Sequence, residues 1–163
     1  MSGFEEGHHR FVAAPVAEAP PRPELRDGRF SFVMDEPARL LVIDDDPIIC
    51  EFASVYLSTP VVSVEIAGDG AEGLERLAAE RFDLCMVDLD MPRLDGFEFI
   101  RRVRAEPAYA RLPLVVVTGR EDVESIDAAY RAGATSFLTK PINWRLLSYQ
   151  LRYVLRAQRA LAA

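Results

Sequence analysis

Arg39-Leu40-Leu41-Val42-Ile43-Asp44-Asp45-Asp46-Pro47 holds a strand, an acidic stop and a helix start in one short run. Four apolar residues are enough for a short buried strand and too few for a helix. The run ends abruptly on three acids. Asp46-Pro47 then opens a helix, with aspartate as N-cap and proline at the first helical position; Phe52, Val55 and Tyr56 follow at helical spacing. The same unit recurs down the chain. Val61–Ile66 leads through Gly68-Asp69-Gly70 to a helix carrying Leu74 and Leu77. Leu84–Val87 runs into Asp88, and after the loop Met91–Gly96 a helix uses Phe97, Ile100 and Val103. Leu114–Val117 runs into Thr118, and a helix from about Asp122 to Arg131 carries Val123, Ile126 and Tyr130 and is stopped by Gly133. Ser136–Thr139 runs into Lys140 and Pro141, and one long arginine-rich helix follows. Five such units predict an α/β fold, a doubly wound parallel sheet covered on both faces.

In a parallel sheet the strands' carboxyl ends form one edge, where ligands bind. Asp44, Asp45, Asp88, Thr118 and Lys140 all fall there. Lys140 is the only lysine among 19 basic residues. Arginine is a planar fork and lysine a compact charge on a long stem, so a lone lysine at this address suits a point charge beside phosphate. Asp46 is explained by capping; Asp45 and Asp88 are not. Asp44, Asp45 and Asp88 would crowd three carboxylates together, which a divalent cation relieves. An all-oxygen set suits Mg²⁺. A metal-bound carboxylate beside a hydroxyl and an ammonium fits phosphoryl transfer, with Asp88 as nucleophile forming an acyl phosphate. Gly119 leaves room for a donor to approach.

Taken together, these residues resemble the receiver domain of bacterial two-component response regulators. The likeness rests on Asp44-Asp45, Asp88 with Met91-Pro92 and Asp95-Gly96, Thr118-Gly119, Ala132-Gly133-Ala134, Phe137 and Lys140-Pro141, over about residues 39–157. It implies the flavodoxin-like strand order 2-1-3-4-5. It implies that Asp88 takes phosphate from a histidine kinase or histidine phosphotransferase. Asp45 and Asp88 would bind Mg²⁺ directly, with the backbone carbonyl of Asp90, and Asp44 through water. Thr118 and Lys140 would contact the phosphoryl oxygens, and Phe137 would be the switch aromatic beside Thr118. Asp88-Leu89-Asp90 also resembles the nucleophile pair of haloacid dehalogenase-like phosphatases, but Asp44-Asp45 comes first in the chain where that class has its acidic pair last. A receiver-shaped interaction module that is never phosphorylated is the second alternative.

The flanks carry less. Residues 1–38 read as a disordered tail rich in proline and alanine, with Phe30, Phe32 and Met34 hinting at an edge strand or docking strip, and His8-His9 read as tail residues rather than a metal site. Residues 158–163 read as an extension of the last helix. With 23 residues after Lys140, no output module is expected, leaving a single-domain regulator, a phosphorelay intermediate or an excised piece. The stretch from Pro141 to Arg156 resembles receivers joined to cyclic-di-GMP-handling or kinase modules. The net charge of −7 argues against nucleic acid as a partner, although residues 142–163 hold four arginines and no acid. Cys50 and Cys85 sit among apolar residues and suggest buried thiols. No apolar run nears the ~20 residues of a membrane span, and a cytoplasmic location is expected. The last helix, about 142–161, shows two apolar stripes: Trp144, Leu147, Leu151, Val154 and Leu161, and Leu146, Tyr149, Tyr153, Ala157 and Ala160. The second stripe, with Tyr130 and Trp144, predicts a partner face and a homodimer that answers to phosphorylation.

Overall fold

The computed structural model describes residues 32–162. Five strands alternate with five helices: β1 Ala38–Ile43, α1 Pro47–Leu57, β2 Val62–Ala67, α2 Gly70–Ala79, β3 Leu84–Val87, α3 Gly96–Ala105, β4 Leu114–Thr118, α4 Val123–Ala132, β5 Ser136–Thr139 and α5 Trp144–Ala162, with a single 3₁₀ turn at Pro107–Tyr109 before β4. All pairings are parallel and the order is β2-β1-β3-β4-β5, as expected. The predicted cap at Asp46 recurs at three other helix starts. Asp46, Asp69, Asp95 and Asp122 each cap a helix by accepting a backbone N–H through the side chain. Gly133 ends α4 at φ 120°, a backbone that disfavours any side chain.

Each strand divides its side chains between two cores. Leu40, Val42, Leu84, Met86, Val115 and Val117 face a layer with Ala53 and Leu57 of α1 and Leu147, Leu151 and Leu155 of α5. Leu41, Ile43, Cys85, Val87, Leu114 and Val116 face the opposite layer, with Leu77, Phe99, Ile100, Val103 and Ala129 of α2, α3 and α4. This explains why the central strands β3 and β4, and β1 from Leu40 onward, are continuous apolar runs, whereas the edge strand β2 alternates. The chain winds one way from β1 to β2 and the other way from β3 onward, so β1 and β3 meet at the switch point.

Two expectations about the segment before β1 need correcting. The domain begins before residue 38. Val33 and Met34 are buried, Met34 in the α1–α5 core. Arg152 donates to the carbonyl of Val33, and Glu36 accepts from Arg156 and Arg159. Residues 33–37 therefore pack on the end of α5 without forming a strand, while α5 runs to Ala162, in line with the expected extension of the last helix. Arg156 and Arg159 of α5 meet an acidic partner within their own chain. Phe30 and His8-His9 lie outside the described residues.

On α1 and α4 most of the large apolar residues at helical spacing are not the ones that face the sheet. Phe52, Val55 and Tyr56 are exposed, as are Val123 and Tyr130, while Ala53, Leu57, Ser125 and Ala129 are buried. Small residues let these helices lie close to the sheet, and the large apolar ones point outward. On α5 the buried stripe runs through Leu147, Leu151 and Leu155, and Leu161 is exposed.

Gly96 shows how tightly the fold holds its loop edge. A Cβ there would collide with the carbonyl oxygen of Asp88 and lie 2.8 Å from Cα of Leu89. Both are backbone and cannot step aside. Gly96→Ala should lower stability by about 1–3 kcal/mol in urea unfolding, with exchange protection lost first around Asp88.

Candidate functional site

Register places the site residues. Ile43 pairs with Val87, so Asp44 and Asp88 are the next residues on neighbouring strands, and Asp88 N–H donates to the Ile43 carbonyl at 3.0 Å. Val87 pairs with Val116, which leaves Thr118 at the same edge. Thr118 pairs with Thr139, so Lys140 follows directly, its N–H donating to the Thr118 carbonyl at 2.8 Å. The Lys140–Pro141 peptide is cis.

The five predicted side chains come together. Asp44 and Asp88 are nearly buried, Thr118 is fully buried, and Asp45 is exposed. Carboxylate oxygens of Asp44, Asp45 and Asp88 lie within 4.8 Å of one another. The Lys140 ammonium donates to Asp44 at 2.8 Å and to Asp88 at 3.1 Å. One compact cation between two buried acids is what a forked guanidinium could not supply. Burial works against a charged Lys140, but the hydrogen bonds and charges of Asp44 and Asp88 outweigh it and hold its pKa above the ordinary lysine value. A raised lysine pKa means that this pairing contributes fully at neutral pH and is lost only as pH rises through the raised value. Burial pushes the Asp44 carboxyl up, against the opposing hydrogen bonds from Lys140 and the Asp46 N–H.

The remaining predicted residues divide. Gly119 faces open space: a Cβ there would meet nothing within 4 Å. Phe137 is half-buried against the core of α2, α3 and α4. Tyr130, Tyr149 and Tyr153 are exposed, Tyr153 by 75%. Trp144 does not join them. Its ring stacks on Tyr56 of α1 at 5.6 Å and meets Phe52 edge-on at 6.2 Å. Of the thiols, Cys85 is buried as expected and Cys50 only partly so, donating to the Asp44 carbonyl at 3.2 Å. Burial pushes the Cys50 thiol up to about 11.

Two contacts at this edge have no signature in spacing. Arg93, with φ 66°, pairs with the buried Asp69 and ties the loop after β3 to the loop after β2. Arg120 donates to both carboxylate oxygens of Asp90, from Nη2 at 2.5 Å and from Nε at 2.9 and 3.1 Å. The Arg120 guanidinium holds the Asp90 carboxyl below the usual range. Neither arginine belongs to a motif, so only proximity in space reveals the partner.

The acid set fits a hard divalent cation: three carboxylates share one mouth, one is open to solvent, and the donors are all oxygen. At ten times its Kd, Mg²⁺ should stabilise the wild type by about 1.4 kcal/mol. Asp45→Ala should lose most of that gain, and thermal melts with and without the ion check it.

With the geometry in hand, comparison with known proteins is direct. Residues 40–152 match the family described as response regulator receiver domain. The chain is 40% identical over 120 residues to Response regulator MprA of Mycolicibacterium vanbaalenii, spanning 74% of this chain and 51% of that protein. It is 32% identical over 126 residues to Transcriptional regulatory protein RprY of Bacteroides fragilis, spanning 77% and 52%. The chain thus spans about half the length of the curated relatives it matches. Among solved structures, it superposes on the Vibrio cholerae chemotaxis protein CheY4 with a TM-score of 0.69 and 34% identity, covering 72% of this chain and 98% of that one. A CheY-like receiver domain protein from Methanospirillum hungatei gives a TM-score of 0.72 and 28% identity, covering 77% and 98%. Among the described residues no helix is long and apolar enough to cross a membrane.

Proposed function

The chain belongs to the response regulator receiver domain family, and from that premise we propose that it accepts a phosphoryl group on Asp88 from a phosphohistidine donor and switches partner binding in response. The donor would be a histidine kinase or a histidine phosphotransferase. The observation that carries this reading is the nearly buried Asp88 carboxylate, 3.1 Å from the Lys140 ammonium and clustered with Asp44 and Asp45, with Thr118 at the same strand edge.

The step is a displacement at phosphorus. An oxygen of Asp88 attacks, the bond from phosphorus to the donor's imidazole nitrogen breaks, and the electron pair leaves with that nitrogen, which takes a proton from solvent. Asp45, Asp88 and the backbone carbonyl of Asp90 would hold Mg²⁺, with Asp44 acting through water. The ion, when bound, neutralises charge on the transferring group. Lys140 supplies a second positive charge, and Thr118 a hydroxyl to a phosphoryl oxygen. The open space at Gly119 admits the donor. These roles describe a signalling domain that reacts once per phosphoryl group rather than a phosphatase, acting in the cytoplasm without binding nucleic acid itself.

The response would pass from Thr118 to the half-buried Phe137 and on to the surface of α4, β5 and α5. Exposed Tyr130, Tyr149 and Tyr153 support a protein-binding face there, open to a second copy of the chain or to another protein target. Trp144 is left out of this face because α1 occupies its ring.

Acetyl phosphate with Mg²⁺ should add one phosphoryl group to the wild type, seen by intact mass, and Asp88→Asn should take up none. Undiminished labelling of that variant rules out Asp88 as the acceptor. Lys140→Arg keeps the charge but should weaken the change in exchange protection that beryllofluoride causes around Thr118 and Phe137. An unaltered response would show that charge alone suffices.

A further inference from the structure

The last helix reaches further than the sheet it covers. The 19 residues of α5 span about 28 Å, whereas strands of four to six residues span about 13–20 Å. Leu155 is its last buried residue, so residues 156–162 extend past the core. Residues 33–37 lie along this end. Arg152, Arg156 and Arg159 stand four and three positions apart and form one row on the helix. Nη1 of Arg152 donates to the Val33 carbonyl at 3.3 Å. Glu36 accepts from Nε of Arg156 at 2.9 Å and from Nη1 of Arg159 at 3.0 Å. Nη2 of Arg159 donates to the Pro37 carbonyl at 2.5 Å, and Asp35 lies 3.6 Å from Arg156. Beside this row, Met34 inserts into the core shared by α1 and α5.

This segment is fastened differently from the sheet. β1 begins only at Ala38, whose N–H donates to the Val61 carbonyl at 3.2 Å. The ion pairs that hold Asp35 and Glu36 are about half exposed, and such pairs contribute little apiece. A segment held by exposed pairs and one deeply buried side chain can open locally while the sheet stays folded. Opening would uncover three arginines on a helix with no acid of its own between residues 144 and 162. It would also uncover the recess that Met34 fills beside Leu155. We propose that residues 33–37 are an autoinhibitory strap. They occupy, within their own chain, a site on α5 for an extended acidic protein segment, two apolar residues followed by two acids, and they must leave before a partner's segment of that kind binds.

The strap itself states the chemistry of the ligand. A backbone carbonyl meets Arg152, carboxylates meet Arg156 and Arg159, and an apolar side chain fills the recess. A nucleic-acid backbone would satisfy the arginines and leave the recess empty, so a peptide fits better. A partner binds only the fraction of molecules whose strap is open, and its apparent affinity falls by that fraction. Salt should raise the open fraction, because the Debye length falls from about 10 Å at 0.1 M to about 3 Å at 1 M ionic strength.

The experiment uses the full chain and, as probe, a labelled peptide with the sequence of residues 32–37, followed by fluorescence anisotropy. Asp35→Ala combined with Glu36→Ala should bind the peptide about tenfold more tightly than the wild type does, and the milder Glu36→Gln should fall between. Adding Arg156→Ala and Arg159→Ala to the double variant should remove the gain. In the wild type, the amides of residues 33–36 should exchange faster than those of β1, and faster still in 1 M NaCl. Equal peptide affinity in the wild type and both strap variants, or a gain that survives loss of the two arginines, would overturn the strap. So would strap amides as protected as those of β1, or loss of β1 protection in the double variant, since the segment would then belong to the core fold. Tighter binding of duplex DNA than of the peptide by the double variant would overturn the assignment to a protein partner.

Discussion

Like charges held close together organise this protein. Asp44 and Asp88 leave neighbouring parallel strands at the same level, and Asp45 is adjacent. Carboxylates so placed repel, and the more so away from water. The fold answers with one ammonium, brought from the far end of the sheet by β5. The lysine follows β5 and the acids follow β1 and β3, so the site exists only when the whole sheet is assembled. Removing one partner of such a buried cluster leaves charge uncompensated, which costs more than the intact pair contributes.

The two cores make that arrangement rigid. Strands buried on both faces cannot slip by one residue without exchanging their entire apolar sets. A slip would also move Asp88 away from Asp44. The packing that stabilises the sheet thus sets the geometry of the acids. The backbone of Asp88 is held from below as well, by the close approach of Gly96. Reactive groups stand on rigid strand ends while the loops around them are fastened by side chains: Arg93 to Asp69, and Arg120 to Asp90.

Away from the site, the apolar surface is uneven. Phe52, Tyr56 and Trp144 form an aromatic cluster where α1 meets α5, and Tyr149 lies beside the guanidinium of Arg152 at 5.0 Å. On the other end of α5, residues 33–37 bring Asp35 and Glu36 onto Arg156 and Arg159. Beyond the sheet, the last helix therefore meets different surroundings along its length: α1, solvent and the segment before β1.

What could be read from the sequence was whatever depends on local order. Apolar runs ending on Asp44, Asp88, Thr118 and Lys140 announce strands and the edge on which they end. Asp46, Asp122 and Gly133 announce helix ends, because capping is a contact between residues a few positions apart. The family resemblance added the strand order. The tertiary structure alone decided which side of α1 and α4 faces the sheet, since Phe52, Val55 and Tyr56 have the same helical spacing whether buried or exposed. It alone decided that Trp144 packs on α1, that Met34 joins the core, and that Arg120 meets Asp90. Those outcomes depend on how closely two elements approach and on which side chains then meet. Distance along the chain carries no record of either.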